Sequence, residues 1–145
     1  MAVLSQAVAG FSSETPANLS DKQVQKRLSP AARKAFFKIA TTWKIRDEEA
    51  KQLLGGISNG AFYQLKGGEL KAPLDQDRLV RVSLLVGIFK ALNTLYSQKL
   101  ADAWILLPNT NPIFAGDTPL AYMVKGGQPA MMRVRQMLDA RQVAG

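Results

Sequence analysis

RDEEAKQLLGGISNGAFYQLKGG, residues 46–68, is the stretch on which the fold reading turns. Asp47 suits the cap of a short helix, and Glu48 and Glu49 suit the positive end of its dipole. Ala50, Leu53 and Leu54 supply an inner face, and Gly55-Gly56 stops the run. Ser58 or Asn59 then opens a second helix, GAFYQLK, which Gly67-Gly68 ends. Between them, GGIS offers a glycine for a left-handed position, Ile57 to pin the turn and Ser58 to start the next helix. Helix, tight glycine turn and helix together make the outline of a helix-turn-helix.

The pattern on either side is also helical. Upstream, Ser29 reads as an N-cap with Pro30 at the first helical position, where its missing N–H costs nothing. Ala32, Phe36, Ile39, Ala40 and Trp43 then share one face. Residues 1–28 read as a partly flexible tail, with a short helix from Ser20 to Leu28 capped by Ser20. Downstream, Asp75 or Asp77 opens a long helix with a wide apolar face from Leu79 to Leu95. Gly87 inside it costs about 1 kcal/mol against alanine, which predicts close packing there. A shorter helix spans Ser97 to Leu107. Pro108-Asn109 ends it, and Asp117 or Thr118 caps another helix with Pro119 in its first turn. Gly126-Gly127 stops that one before a final run from Gln128. No strand pattern and no repeat is visible, so the chain is predicted to be all-α. The divisions are a tail (1–28), a helix-turn-helix domain (29–93) and a small helical domain (94–145).

Composition narrows the chemistry. The 145 residues include no Cys and no His. That removes disulfides, thiolate metal sites, a cysteine nucleophile and the usual imidazole base. Glu48 and Glu49 are neighbours and do not share a helix face, while Asp75 and Asp77 sit where capping explains them. The glycine pairs follow helical runs and lack the spacing of a phosphate-binding loop. These features predict a protein that is not an enzyme and carries no cofactor or metal. No apolar run approaches the ~20 residues of a membrane span. The start, MAVLSQAVAGFSS, lacks a basic region, so a cytoplasmic protein is expected.

Net charge is +8. Residues 29–71 hold eight Lys/Arg against four Asp/Glu, so half of the excess lies around the helix-turn-helix outline. Charge there suits phosphates. If the second helix of the outline enters a major groove, Ser58, Asn59, Phe62, Tyr63, Gln64 and Lys66 are its candidate contacts. Asn and Gln suit adenine, Phe a thymine methyl, and Lys66 a phosphate. Phe62 and Leu65 also fit a core. Near the end, Met123, Met131, Met132 and Met137 form an adaptable apolar set that either closes the core or meets a partner. Arg133, Arg135 and Arg141 suit an acidic partner or plain solvation.

Two stretches carry a family resemblance. AKQLLGGISNGAFYQLKGG followed by LDQDRLVRVSLLVGIFKALNTLYS, and then ADAWILLPNTNPIFAGDTPLAYMVKGGQPAMMRVRQML, resemble the Xre/MbcA/ParS antitoxins. The likeness is greatest to the Xre antitoxins paired with RES-domain toxins. The second stretch carries the motif in Trp104, Pro108, Asn109, Phe114, Gly116, Pro119, Leu120 and Gly126. The chain departs from the family at its end, LDARQVAG, where a basic or aromatic residue and a Gly often follow the last Leu. The resemblance implies an Xre-like helix-turn-helix domain followed by a toxin-binding domain. It further implies a cytoplasmic antitoxin that occludes an NAD-degrading RES-type toxin and represses its own operon. Partners would be the toxin and operator DNA, with a homodimer or a larger assembly with toxin. Toxin contacts are expected at Met131, Arg133, Arg135, Met137 and Arg141. The alternative is a helix-turn-helix regulator whose C-terminal region dimerises or senses a ligand.

Overall fold

The computed structural model describes residues 18–144. Most of the expected tail, residues 1–17, lies outside it. Among the described residues there are six α-helices and two short 3-10 helices, and no strand. The α-helices are α1 (Lys22–Thr42), α2 (Asp47–Leu53), α3 (Asn59–Lys66), α4 (Gln76–Leu95), α5 (Gln98–Ala103) and α6 (Pro119–Ala144). The 3-10 turns are Trp104–Leu106 and Pro112–Phe114. No helix among these residues is long and apolar enough to cross a membrane.

α4 is the axis. Every residue from Val82 to Phe89 is buried, so this stretch is enclosed on all sides rather than along one stripe, with Ser83 its one polar side chain. Its largest contacts are with α6 and α1. One buried cluster joins Phe36, Ile39 and Trp43 of the N-terminal part to Leu85 and Leu92 of α4 and to Met123, Met131, Val134 and Leu138 of α6. The core therefore runs continuously across residue 93. Gly87 answers the expectation of close packing: a Cβ there would lie 2.6 Å from the Arg135 guanidinium.

Three caps differ from the sequence expectation, the first being Ser20, whose place Asp21 takes. α1 starts at Asp21, whose carboxylate accepts from the Gln23 and Val24 amides, and it continues through Pro30. The expected short helix and the expected first helix are thus one. Pro30 is exposed, so the Lys26 carbonyl that it leaves unpaired faces water. Ser29 is not a cap. Its buried hydroxyl donates to Gln25 O at 2.6 Å and accepts from the Leu74 amide at 2.8 Å. That bond ties the loop before α4 to the middle of α1. Asp47 likewise is not the cap of α2. Arg46 holds that position, and the Glu49 carboxylate accepts from its amide at 3.2 Å.

Other boundaries follow the sequence reading. Ser58 caps α3 by accepting from Ala61 N, and Asp75 caps α4 by accepting from Arg78 N. Thr118 accepts from Ala121 N at the start of α6. α6 breaks at Gly127, where φ is 66° and ψ −148°, a region that only glycine enters cheaply. The stop expected at Gly126-Gly127 is therefore present as a break with an immediate restart at Gln128.

Ser29→Ala leaves the buried Leu74 amide without an acceptor. We expect a stability loss of about 1–3 kcal/mol in urea unfolding, with the slope of the transition unchanged.

Candidate functional site

Two surfaces carry the candidate residues. The first is the α2–α3 unit. The chain turns between these helices through Gly55 and Gly56, both with positive φ. At Gly55 a Cβ would come within 3.0 Å of Asp77 Oδ2 and 3.1 Å of Arg81 Nε, so the turn lies tight against α4. Ile57 is buried beneath the turn. α3 then presents Ser58, Asn59, Tyr63, Gln64 and Lys66 to solvent, while Phe62 and Leu65 point inward. Phe62 is 1% exposed and packs 5.6 Å from the Phe37 ring. Its expected contact with a base is therefore corrected: the ring is core, because α3 needs an apolar anchor one position from its exposed face.

The exposed residues are held by charged neighbours. Asp47 takes two donors, the Tyr63 hydroxyl at 3.1 Å and Lys66 Nζ at 2.9 Å. Freed from capping α2, its carboxylate links the start of α2 to the last turn of α3. Lys51 is buried at its base but reaches Glu48 at 2.9 Å and Asn59 Oδ1 at 2.6 Å. Its ammonium also lies 5.3 Å from the Tyr63 ring centre. The Lys66 bond holds the Asp47 carboxyl below its usual value of 3.8, and the Glu48 carboxylate pushes Lys51 upward. At the C-terminal end of α3, the Arg33 guanidinium donates to the Leu65 and Lys66 carbonyls. Unlike Asn59, Tyr63 and Lys66, the Gln64 side chain shows no hydrogen bond or ion pair among the described residues. An open cleft of about 460 Å³ lies beside it, lined by Ile57, Ser58, Ala61, Leu74 and Arg78.

The second surface is built on α6. The motif residues in front of it form a chain of rings. Phe114 meets Trp104 at 6.1 Å and Tyr122 at 5.3 Å, each edge to face. Asn109 and Asn111 organise the loop: the first accepts from Asn111 N, the second from Ile113 N. Pro108 is exposed at the loop's start. Ala115 and Gly116 both take positive φ and turn the chain toward Thr118. Pro119 and Leu120 are buried. A Cβ on Gly126 would lie 2.5 Å from the Ala130 Cβ, so the helix restart admits no side chain there.

The expected partner contacts divide. Arg133 is exposed, and its guanidinium reaches the Tyr122 hydroxyl at 3.4 Å. Met137 is half-buried, its sulfur accepting from Asn111 Nδ2 at 3.0 Å. Arg135 folds over Gly87 and lies 3.6 Å from Asp139, and Arg141 donates to the Tyr96 hydroxyl at 2.7 Å. Met131 is fully buried, so its expected role as a contact is corrected to core. Met132, a member of the methionine set but not one of the expected toxin contacts, is 45% exposed. Register separates the two methionines: Met131 falls in step with Val134 and Leu138, Met132 in step with Gln136. With Tyr122, Gly126, Pro129, Ala130 and Arg133, Met132 and Gln136 line an open groove of about 400 Å³. Both surfaces offer hydrogen-bonding groups and charge, and the α6 groove adds the apolar side chain of Met132.

The Asp47 arrangement has a pH signature. A depressed carboxyl stabilises the fold above its unfolded pKa, and that contribution disappears as pH falls through the folded value. Stability should therefore drop below about pH 4 more steeply in the wild type than in Asp47→Asn. Carboxyl titration by NMR should place the Asp47 midpoint below 3.8; a midpoint at or above it contradicts the Lys66 bond.

No family model matches the chain, and no solved structure matches it. It is similar to the uncharacterized protein y4oB of Sinorhizobium fredii (strain NBRC 101917 / NGR234), with 37% identity over 115 residues. The matched region covers 77% of this chain and 84% of that protein. At that identity and coverage, the chain belongs to the family of y4oB.

Proposed function

We propose that this protein is an antitoxin that binds a cognate NAD-degrading RES-type toxin, blocks its active site and represses its own operon. The observation that carries the reading is the α6 groove. An exposed methionine and an arginine bonded to a tyrosine hydroxyl stand together beside the Gly126-Gly127 break. Met132 supplies adaptable apolar area, and Arg133 supplies a fork for a toxin carboxylate. The Trp104–Phe114–Tyr122 ring chain holds the groove's wall in place. Arg135 and Arg141 act behind it, fixing α6 to its own Asp139 and to Tyr96. The protein acts by occlusion, with no covalent chemistry of its own.

The second half of the reading rests on α3. Its capped N-terminus presents Ser58 and Asn59, and Tyr63 and Gln64 follow on the same exposed side. These groups suit base edges and phosphates in a major groove. Lys66 is tied to Asp47 and serves first to fix the helix. The family resemblance of the Trp104–Met137 stretch supports joining the two halves in one protein.

Deleting everything after Gly127 would remove Met131, Val134 and Leu138 from the core, so point changes test the groove better. Met132→Glu with Arg133→Glu, co-expressed with the RES-type toxin of the neighbouring gene, should lose the complex on gel filtration and fail to rescue growth. A double variant that folds, binds and protects like the wild type refutes the groove. For α3, Asn59→Ala with Gln64→Ala should cost about 10-fold or more in operator affinity at fixed salt. Unchanged affinity excludes this helix as the reader.

A further inference from the structure

α1 carries a charge pattern that stability does not explain. Lys22, Lys26, Arg27, Lys34 and Lys38 are all exposed, and the helix contains no Asp or Glu. Among the described residues, none of these five pairs with a carboxylate. Lys22–Lys26 and Lys34–Lys38 are like-charge pairs at four-residue spacing, which weakens a helix. Lys22 also sits at the positive end of the helix dipole, where an acid would be favourable. A helix selected only to cover the core would carry acids at these places. The sixth cation, Arg33, is used internally to hold the end of α3, so the two helices are rigidly joined.

We propose that the exposed side of α1 is a phosphate-binding ridge for duplex DNA, supplying sequence-blind affinity beside the reading helix α3. From Lys22 to Lys38 the ridge is about 24 Å long. The five cations spread over about 160° of the exposed side of α1, and a duplex, at about one charge per 1.7 Å of axis, is dense enough in phosphates to meet several of them over that length. The charge is complementary, and five cations spaced along the exposed side of one helix fit an extended polyanion better than a single acidic group. Phe37, which lies between the ridge and α3, packs on Phe62 and fixes the angle between them. This inference rests on the proposal that the protein binds DNA.

The test uses the full chain with Lys26, Arg27, Lys34 and Lys38 all changed to Gln. These side chains are exposed and unpaired, so the melting temperature should be unchanged or slightly raised. Binding to a random-sequence duplex is measured over a salt series. The expected result is about a 100-fold weaker affinity at low salt and a log–log salt slope smaller by about two to four. An unchanged slope overturns the ridge. So does a wild type that binds vesicles of phosphatidylcholine and phosphatidylserine but no duplex. The operator reading fails separately. If the wild type binds duplex without preferring its own operator, while the ridge variant still loses slope, the ridge stands and sequence reading by α3 does not.

Discussion

The structure depends on α4 being buried on all sides. A helix of that kind cannot sit at a surface, so it must be enclosed by partners, and α1 and α6 are the two that enclose it most. Both candidate surfaces are mounted on this arrangement. α2 and α3 are locked to it by the Gly55 turn against Asp77 and Arg81, and by Arg33 at the far end of α3. α6 lies directly on it, with Arg135 crossing where Gly87 leaves room. A change at the centre of α4 would reach both surfaces through packed side chains rather than through any flexible linker.

Around this core the polar groups are used economically. Asp47 holds Tyr63 and Lys66 at once, and Lys51 serves Glu48, Asn59 and a tyrosine ring. Exposed ion pairs of this sort add little to global stability. Their effect is to restrict the rotamers of the residues that face solvent on α3. A helix of eight residues would otherwise present mobile side chains, and ordering them on binding would cost entropy.

Much of the helical order was legible in the sequence, because caps and glycine stops are local devices. Ser58, Asp75 and Thr118 cap where their spacing placed them, and the turn at Gly55-Gly56 has the conformation that two glycines suggest. Ser29 misled because Ser-Pro is a local start signal, whereas its partner, the Leu74 amide, is far along the chain and only tertiary structure brings it close. Asp47 misled in the same way: its true partners lie on α3. Of the candidate contacts, Phe62 and Met131 are core, and within the methionine set Met132 is the exposed member. A shift of one position on a helix turns a side chain by about 100°, so an error of one residue converts a contact into a core residue. The unpaired state of the α1 cations was also hidden, since only coordinates show which acids they fail to meet.

Gly126 and Gly127 bar a side chain for unrelated reasons, one by crowding against Ala130 and the other by its backbone angles. No compensating change elsewhere relieves both. A side chain at Gly127 would strain the bend between Tyr122 and Met132, and one at Gly126 would need Ala130 to give way. The corner thus acts as a ratchet on divergence: the side chains around it are free to drift toward a new recognition partner, while the bend that presents them is not.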